Sequence, residues 1–174
     1  MTMRIYTLGE PVLQQQADPV ENIHAPSVQN LIDELIATLR EANGVGIAAP
    51  QVGVSLQVLI LASRPNLRYP HAPTMEPIAI INPRILDQAP ATVWDWEGCL
   101  SVPDCRGLVL RSEWITVAYT NRAGSIEVAT FRDFVARIFQ HEYDHLTGKV
   151  FLDYQPKQVL NEVQYQAQII GLPA

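Results

Sequence analysis

Apolar residues recur at helical spacing in the segment that begins at Pro26 and ends near Ala42. The apolar stripe consists of Val28, Leu31, Ile32, Leu35, Ile36 and Leu39, and the opposite side carries Gln29, Asp33, Glu34 and Arg40. This period predicts an amphipathic helix. Proline suits a first helical turn, and Asn43 followed by Gly44 can adopt the left-handed backbone that often ends a helix. We therefore expect a helix from Pro26 to about Ala42, followed by a loop.

A different pattern, short β-branched and apolar runs separated by turn residues, predicts β-strands in the middle of the chain. A loop at residues 44–53 leads into a buried strand at 56–61. Four prolines at 64–77 are incompatible with regular structure and predict an exposed loop. Further short strands are predicted at 78–82, around 107–111, at 114–120 and at 125–130, with a hairpin turn at 121–124.

Helical spacing returns between Phe131 and about Leu146, where His141 and His145 fall on the same side as the apolar residues. A short apolar segment at 150–152 and a break at Pro156 follow, and a last helix is predicted at 157–169. No repeat, low-complexity tract or linker divides the chain. With 174 residues, we expect one domain that spans residues 1–174.

Composition narrows the classes of protein. Hydrophobic residues make up 48% of the chain and charged residues 17%, as in folded proteins. The formal net charge of −6, without a basic run, argues against a nucleic-acid-binding surface. The longest mainly apolar stretch, residues 52–62, is too short to span a bilayer. The first residues lack the apolar core of a signal peptide, so we expect a cytoplasmic protein whose Cys99 and Cys105 are free thiols.

The most specific motif is His141-Glu142-Tyr143-Asp144-His145, which has the form H-E-x-x-H. Histidines four positions apart lie one turn apart on one helix face, so both can bind the same metal ion. A carboxylate beside the first histidine can take a proton from an attacking water and deliver it to a leaving nitrogen. Two of only four histidines form this pattern, which makes two merely structural histidines the weaker interpretation. The motif predicts a metal-dependent hydrolase of an amide-type bond.

The third metal ligand decides the class of enzyme. Phe151 occupies the position of the third histidine of metzincins, which excludes that class. Glu162 would correspond to the downstream carboxylate of thermolysin-like sites, but it is isolated in a short tail. Cys99 is favoured because Glu97-Gly98-Cys99-Leu100-Ser101 predicts a turn that ends a strand and exposes a side chain, against the common fate of a free cysteine as a buried small hydrophobe. Cys105 is interpreted as the structural thiol.

Residues 44–51, Gly-Val-Gly-Ile-Ala-Ala-Pro-Gln, also match the dinucleotide fingerprint G-x-G-x-x-A. In that fold the glycines connect a strand to a helix, whereas here a helix precedes the segment and a strand follows it. The order of elements therefore excludes the dinucleotide interpretation. Small residues at this place let the backbone pass close to a ligand, and Gln51 offers an amide donor.

Taken together, G-V-G-I-A-A-P-Q, E-G-C-L-S and Q-H-E-Y-D-H-L resemble the three signature motifs of the peptide deformylases, in the order found in that family. The resemblance implies an α+β fold with mostly antiparallel β-sheets packed around a central HExxH helix, and with an N-terminal and a C-terminal helix. It also implies removal of the formyl group from the N-terminal formyl-methionine of nascent polypeptides, with release of formate. The expected cofactor is one Fe²⁺ per chain, although the same ligands suit Zn²⁺, Ni²⁺ or Co²⁺.

The resemblance also assigns roles to individual residues. Cys99, His141 and His145 would bind the metal, Glu142 would act as the base and then the acid, and Gln51 with the backbone N–H of Leu100 would stabilise the oxyanion. Val45 and Gly46 would contact the peptide, which binds as an extended strand. Helix geometry places Phe134 and Ile138 in the apolar methionine pocket and turns Arg137 outward towards a carboxylate. Arg106 and Glu97 are expected to form a salt bridge near Cys99 that positions the ligand turn or contacts the peptide.

Two other classes are consistent with the residues alone. A metallopeptidase that cleaves internal bonds would need a third ligand other than Cys99. A non-catalytic metal-stabilised module would need four protein ligands and no role for Glu142. Residues 157–174 contain only Lys157 and Glu162 as charged side chains, so no basic tail for ribosome docking is expected. Formyl-methionyl nascent peptides would then be met in transient encounters near the ribosome, without binding to nucleic acid or membrane.

Overall fold

The N-terminal helix packs on the start of the main sheet. The structure, a computed structural model, describes residues 2–171. Helix α1 spans Pro26–Glu41, as predicted, and its apolar stripe packs against strands β1 (Gly46–Ala48) and β2 (Val58–Leu61). Asn43 follows the helix with a φ of 51°, the left-handed conformation that the sequence predicts. Between the two strands, Ala49–Val52 forms a 3₁₀ turn, so the expected loop at 44–53 contains a strand and a helical turn.

The larger sheet has five antiparallel strands in the order β1-β2-β3-β6-β7. Strands β3 (Ile78–Gln88), β6 (Trp114–Thr120) and β7 (Ile126–Arg132) complete it, and β6 and β7 form the predicted hairpin. Strand β3 is longer than predicted. Its second half pairs with β6 but is largely exposed and rich in polar residues, so the hydrophobic pattern does not reveal it.

The smaller sheet has three antiparallel strands in the order β4-β5-β8. Strands β4 (Thr92–Cys99) and β5 (Val102–Ser112) form a long hairpin, and β8 (Val159–Leu160) pairs with the first half of β5. Strand β4 was not predicted. Only Trp96, Glu97 and Cys99 are buried in it, and one of these three is charged, so no alternation of apolar residues marks the strand.

Helix α2 (Asp133–Leu146) contacts strands of both sheets. Its predicted start at Phe131 is wrong by two residues, because Phe131 still belongs to β7. The last helix begins later than the predicted residue 157, since β8 occupies that segment. Helix α3 spans Glu162–Tyr165 and continues as a π-helical turn at Gln166–Ile170.

The proline-rich residues 64–77 contain no helix or strand, as predicted, but they are not simply an exposed loop. Ala72 is buried and Tyr69 is half-buried against the smaller sheet. Within residues 2–171, no helix is long and apolar enough to cross a membrane. The antiparallel sheets and three helices confirm the expected α+β class.

Candidate metal centre and active site

Three metal-ligand side chains converge where helix α2 meets the β4–β5 hairpin. Cys99 is the last residue of β4, and His141 and His145 lie one turn apart on α2. One ligand atom from each residue lies within 4.8 Å of the other two, and all three residues are buried. The Sγ atom of Cys99 is 3.3 Å from Nε2 of His145, and the two imidazole rings are 5.3 Å apart between centroids.

The chemistry of this group fits a single divalent cation. The Nδ1 atom of His141 pairs with Oε2 of Glu97 at 2.8 Å, which leaves Nε2 as the ligand atom, the arrangement common behind metal-bound histidines. Burial opposes ionisation of Cys99, but the charges and hydrogen bonds of His145 and His141 outweigh burial and lower the pKa of the thiol. A thiolate and two imidazoles are typical ligands of Fe²⁺ and Zn²⁺.

Behind His141, the carboxylate of Glu97 is 3% exposed and accepts hydrogen bonds from three side chains. Arg111 donates to both oxygens of Glu97 at 2.8 and 2.9 Å, and Arg137 donates to Oε1 at 2.8 Å. Arg111 also donates to Asp144, at 2.7 Å. Burial alone would raise the pKa of Glu97, but Arg111 and His141 together hold it below its usual range. Glu97 is therefore an anion that fixes the orientation of His141.

The prediction of a salt bridge between Arg106 and Glu97 is wrong. Arg106 is 2% exposed and pairs instead with Glu162, at 2.8 Å, and donates to the hydroxyl of Tyr69 at 3.0 Å. Its guanidinium lies so close to Gly98 that a side chain at that position would overlap it. Glu162 is thereby excluded as the third metal ligand, because its carboxylate binds Arg106.

Arg137 also differs from its expected place. It lies on α2 and is buried, and its guanidinium reaches inward to Glu97 rather than outward. It donates further hydrogen bonds to the backbone carbonyls of Val93 and Val109, on neighbouring strands of the smaller sheet. Arg137 thus joins the helix that carries both histidines to the hairpin that carries Cys99.

Glu142 lies beside the three ligand residues and is 4% exposed. Its Oε2 atom is buried without a hydrogen-bond partner among residues 2–171. Burial raises the pKa of Glu142 to about 7, although the nearby histidines oppose the shift. Gly46 of strand β1 packs directly on this side chain, since a Cβ atom there would lie 2.5 Å from Oε1 of Glu142. An uncommitted carboxyl group that titrates near neutrality suits transfer of a proton.

Gln51 projects from the 3₁₀ turn towards Cys99. Its Oε1 atom accepts a hydrogen bond from the backbone N–H of Ala48 at 2.8 Å, so the amide N–H₂ must face the other way. That group lies 3.2 Å from Oγ of Ser101 and 3.5 Å from Sγ of Cys99. Leu100 follows Cys99 directly, in the tight turn between β4 and β5.

A cavity opens next to these residues. Four of the six residues that the sequence analysis assigns to the substrate line it: Val45, Glu97, Phe134 and Ile138. Tyr69 and Trp96, which were not assigned to the substrate, line it as well. Gly46 is not among the lining residues, although it packs on Glu142. Five of its ten lining residues are aromatic or aliphatic, so that part of the cavity suits an apolar side chain.

The sequence analysis did not predict the buried network of charged residues behind Glu97. Arg111 orients Glu97 and also donates to Asp144, which accepts a second hydrogen bond from Tyr154 at 2.7 Å. One signal was available: Arg111 lies two residues after Val109, so both face the same side of a strand. A buried arginine on an apolar strand face implies a buried carboxylate nearby.

Comparison with known proteins identifies the family. The sequence model of the polypeptide deformylases matches residues 2–160. The chain belongs to the polypeptide deformylase family. Peptide deformylase 2 of Nostoc sp. is 56% identical over 93% of this chain and 92% of its own length. Peptide deformylase 2 of Shewanella oneidensis is 44% identical over 90% of this chain and 87% of its own. The family that the three sequence motifs indicate is thereby confirmed.

Solved structures of peptide deformylases share the fold as well. The class I type b peptide deformylase of Acinetobacter baumannii, crystallised with Met-Ala-Ser bound, superposes with a TM-score of 0.87 at 44% identity. That match covers 88% of this chain and 98% of the A. baumannii chain. The chain thus shares the fold of peptide deformylases, and Cys99, His141 and His145 converge within it.

Proposed function

We propose that this protein removes the formyl group from the N-terminal formyl-methionine of nascent polypeptides and releases formate. The observation that carries the proposal is the cluster of Cys99, His141 and His145, with the carboxyl group of Glu142 beside it at an apolar cavity. Membership of the polypeptide deformylase family supports the reaction. The Met-Ala-Ser bound to the A. baumannii relative supports the substrate, because deformylation of formyl-Met-Ala-Ser would yield that peptide.

Cys99, His141 and His145 hold one metal ion per chain in this proposal, and the ion is Fe²⁺. The same ligand set would accept Zn²⁺, Ni²⁺ or Co²⁺. When bound, such an ion supplies a Lewis acid and lowers the pKa of water. Glu97 keeps the Nε2 atom of His141 directed at the ion through its 2.8 Å contact with Nδ1. This support from behind a ligand raises the affinity of the site for metal.

Glu142 is the general base and then the general acid. A carboxyl group whose pKa burial raises to about 7 can both accept and release a proton near neutral pH. It accepts a proton from the water that attacks the formyl carbon. It then delivers that proton to the methionine nitrogen as the C–N bond breaks, so formate and a free amino group leave. The unpartnered Oε2 atom is the one available for these transfers.

Gln51 and the backbone N–H of Leu100 stabilise the negative charge that develops on the formyl oxygen. The orientation of the Gln51 amide is set in advance by the N–H of Ala48, so no rearrangement is needed during the reaction. Donors that are held in position before the reaction contribute much more than mobile ones.

The methionine side chain enters the cavity that Val45, Phe134 and Ile138 line. The peptide backbone passes beside Val45 and Gly46 as an extended strand, where the missing side chain of Gly46 leaves room. Glu97 and Arg106, also assigned to the substrate from the sequence, act indirectly. Both side chains are buried in ion pairs, Glu97 behind His141 and Arg106 behind the cavity wall.

Residues 1–174 act as one catalytic domain in this proposal. The segment 157–171 contributes only Lys157 and Glu162 as charges, and Glu162 already pairs with Arg106. The enzyme therefore meets nascent chains by transient encounter, without this segment as a ribosome anchor and without binding nucleic acid or membrane. Its place of action is the cytoplasm, where those chains emerge.

The test is formate release from formyl-Met-Ala-Ser by protein loaded anaerobically with Fe²⁺ or Ni²⁺. Cys99→Ala and Glu142→Gln should abolish release, and Cys99→Ala should also lose bound metal. Cys105→Ala is the matched control, because this half-buried thiol is outside the metal-ligand group, and it should retain both activity and metal. A Cys99→Ala variant that still binds metal and hydrolyses internal peptide bonds would contradict the proposal. Full activity with Zn²⁺ in anaerobically purified protein would contradict the choice of Fe²⁺.

A further inference from the structure

The side chain of Tyr69 stands between two cavities. The inner cavity borders Glu142 and His141. The outer one is larger, extends towards the C-terminal segment and is lined by residues such as His71 and Ile169. Three residues line both cavities, Tyr69, Trp96 and Phe134, and they therefore form the wall between them.

Tyr69 is held in this wall from three sides. Its hydroxyl accepts hydrogen bonds from Arg106 at 3.0 Å and from the backbone N–H of Gly98 at 3.2 Å. Its ring packs on Phe134, with 4.9 Å between ring centroids. Arg106 is in turn held by Glu162, at 2.8 Å. The ring is thus fixed in place rather than lying loosely over the cavity.

Tyr69 is also the only one of the three wall residues that lies outside regular structure in the described chain. Trp96 belongs to β4, where its ring packs edge-on against Tyr165, and Phe134 belongs to α2. Tyr69 comes from the proline-rich segment 64–77, and that segment contributes no other residue to the inner cavity. The size of the inner cavity therefore depends on this segment through one side chain.

We propose that Tyr69 determines specificity by limiting the size of the side chain accepted at the first residue of the substrate. This inference rests on the proposed function, since the inner cavity is the methionine pocket there. With the ring in place, the pocket ends at the wall. Without the ring, the inner cavity opens into the outer one, and a larger first side chain can enter while methionine loses contacts.

The experiment compares formyl-Met-Ala-Ser with formyl-Trp-Ala-Ser in the wild type and in Tyr69→Ala. We expect the ratio of kcat/KM for the two substrates to fall at least tenfold in the variant, roughly the discrimination that one apolar contact provides. The ratio does not depend on the fraction of folded or metal-loaded protein, since both substrates are measured on the same preparation. Tyr69→Phe keeps the ring and should keep the preference for methionine.

His71→Ala is the matched control, because His71 belongs to the same segment but lines only the outer cavity. It should leave the ratio unchanged. The proposal is overturned if Tyr69→Ala lowers both kcat/KM values by the same factor or changes neither, or if Tyr69→Phe loses the preference as fully as Tyr69→Ala. Calorimetric binding of Met-Ala-Ser and Trp-Ala-Ser gives the same comparison without turnover. Loss of formate release in the wild type would thus count against the proposed function alone.

Discussion

Replacement of Glu97 by glutamine should destabilise the protein severely while changing its shape very little. The two oxygens of Glu97 accept four hydrogen bonds, two from Arg111, one from Arg137 and one from His141. An amide presents N–H₂ in place of one oxygen, so two of these four donors would face another donor. Each hydrogen bond to a charged group contributes roughly 1.5–3 kcal/mol.

The electrostatic balance leads to a similar magnitude. Arg111 and Arg137 are balanced by Glu97 and Asp144, and all four side chains are buried. The Glu97→Gln change leaves one positive charge without a partner. Breaking a buried pair from one side costs about 3–5 kcal/mol, a large part of the free energy of unfolding of most domains.

Urea unfolding of the metal-free protein measures this loss directly. Glu113→Gln is the matched control, because Glu113 is exposed and the same change there should alter the free energy of unfolding by less than about 0.5 kcal/mol. The affinity for Ni²⁺, measured against a competing chelator, should fall about 10- to 100-fold in Glu97→Gln, since His141 loses its partner. If unfolding and metal affinity both match the Glu113→Gln control, the assigned role of Glu97 is refuted.

Three further results are expected. Gly46→Ala should lower kcat/KM for formyl-Met-Ala-Ser about 100-fold with unchanged metal content. The reason is that the new Cβ would lie 2.5 Å from Oε1 of Glu142 and displace that carboxyl group. Unchanged kinetics would contradict this contact. Gln51→Ala should lower kcat about 100- to 1,000-fold in steady-state assays while the Ni²⁺ affinity stays the same. Burial raises the pKa of Glu162, but the hydrogen bond and charge of Arg106 outweigh burial and lower it below 4.5. The pair therefore stabilises the fold above that pH and is lost as pH falls further, so Glu162→Gln should flatten the dependence of Tm on pH in this acidic range.

The elements that the sequence predicts well are those that local periodicity determines. Helices α1 and α2 each carry one apolar stripe, and the β6–β7 hairpin has a polar turn between two apolar runs. The three motifs likewise identify the metal ligands as candidates, because H-E-x-x-H needs only the geometry of one helix. Patterns of this kind lie within one helix or hairpin, so they can be recognised without knowledge of the tertiary contacts.

The elements that the sequence does not predict depend on contacts with residues far away in the chain. Strand β4 is hidden because Glu97 occupies a buried position, which is favourable only with Arg111 and Arg137 beside it. The C-terminal helix is displaced because residues 159–160 pair with β5. The sequence predicts the wrong salt-bridge partner for Arg106 for the same reason. Glu97 is close to Arg106 in sequence, whereas the actual partner, Glu162, lies 56 positions further on.

The pairing of Arg106 with Glu162 has a consequence for how this protein is made. Synthesis runs from the N-terminus, so the metal ligands, the last of which is His145, leave the ribosome before Glu162 does. Until residue 162 emerges, Arg106 has no carboxylate to fix it, and Tyr69 has no fixed donor behind its hydroxyl. The contact between Arg106 and Glu162 is thus the last one behind the Tyr69 wall that synthesis makes possible, whereas Cys99, His141 and His145 all precede it in the chain.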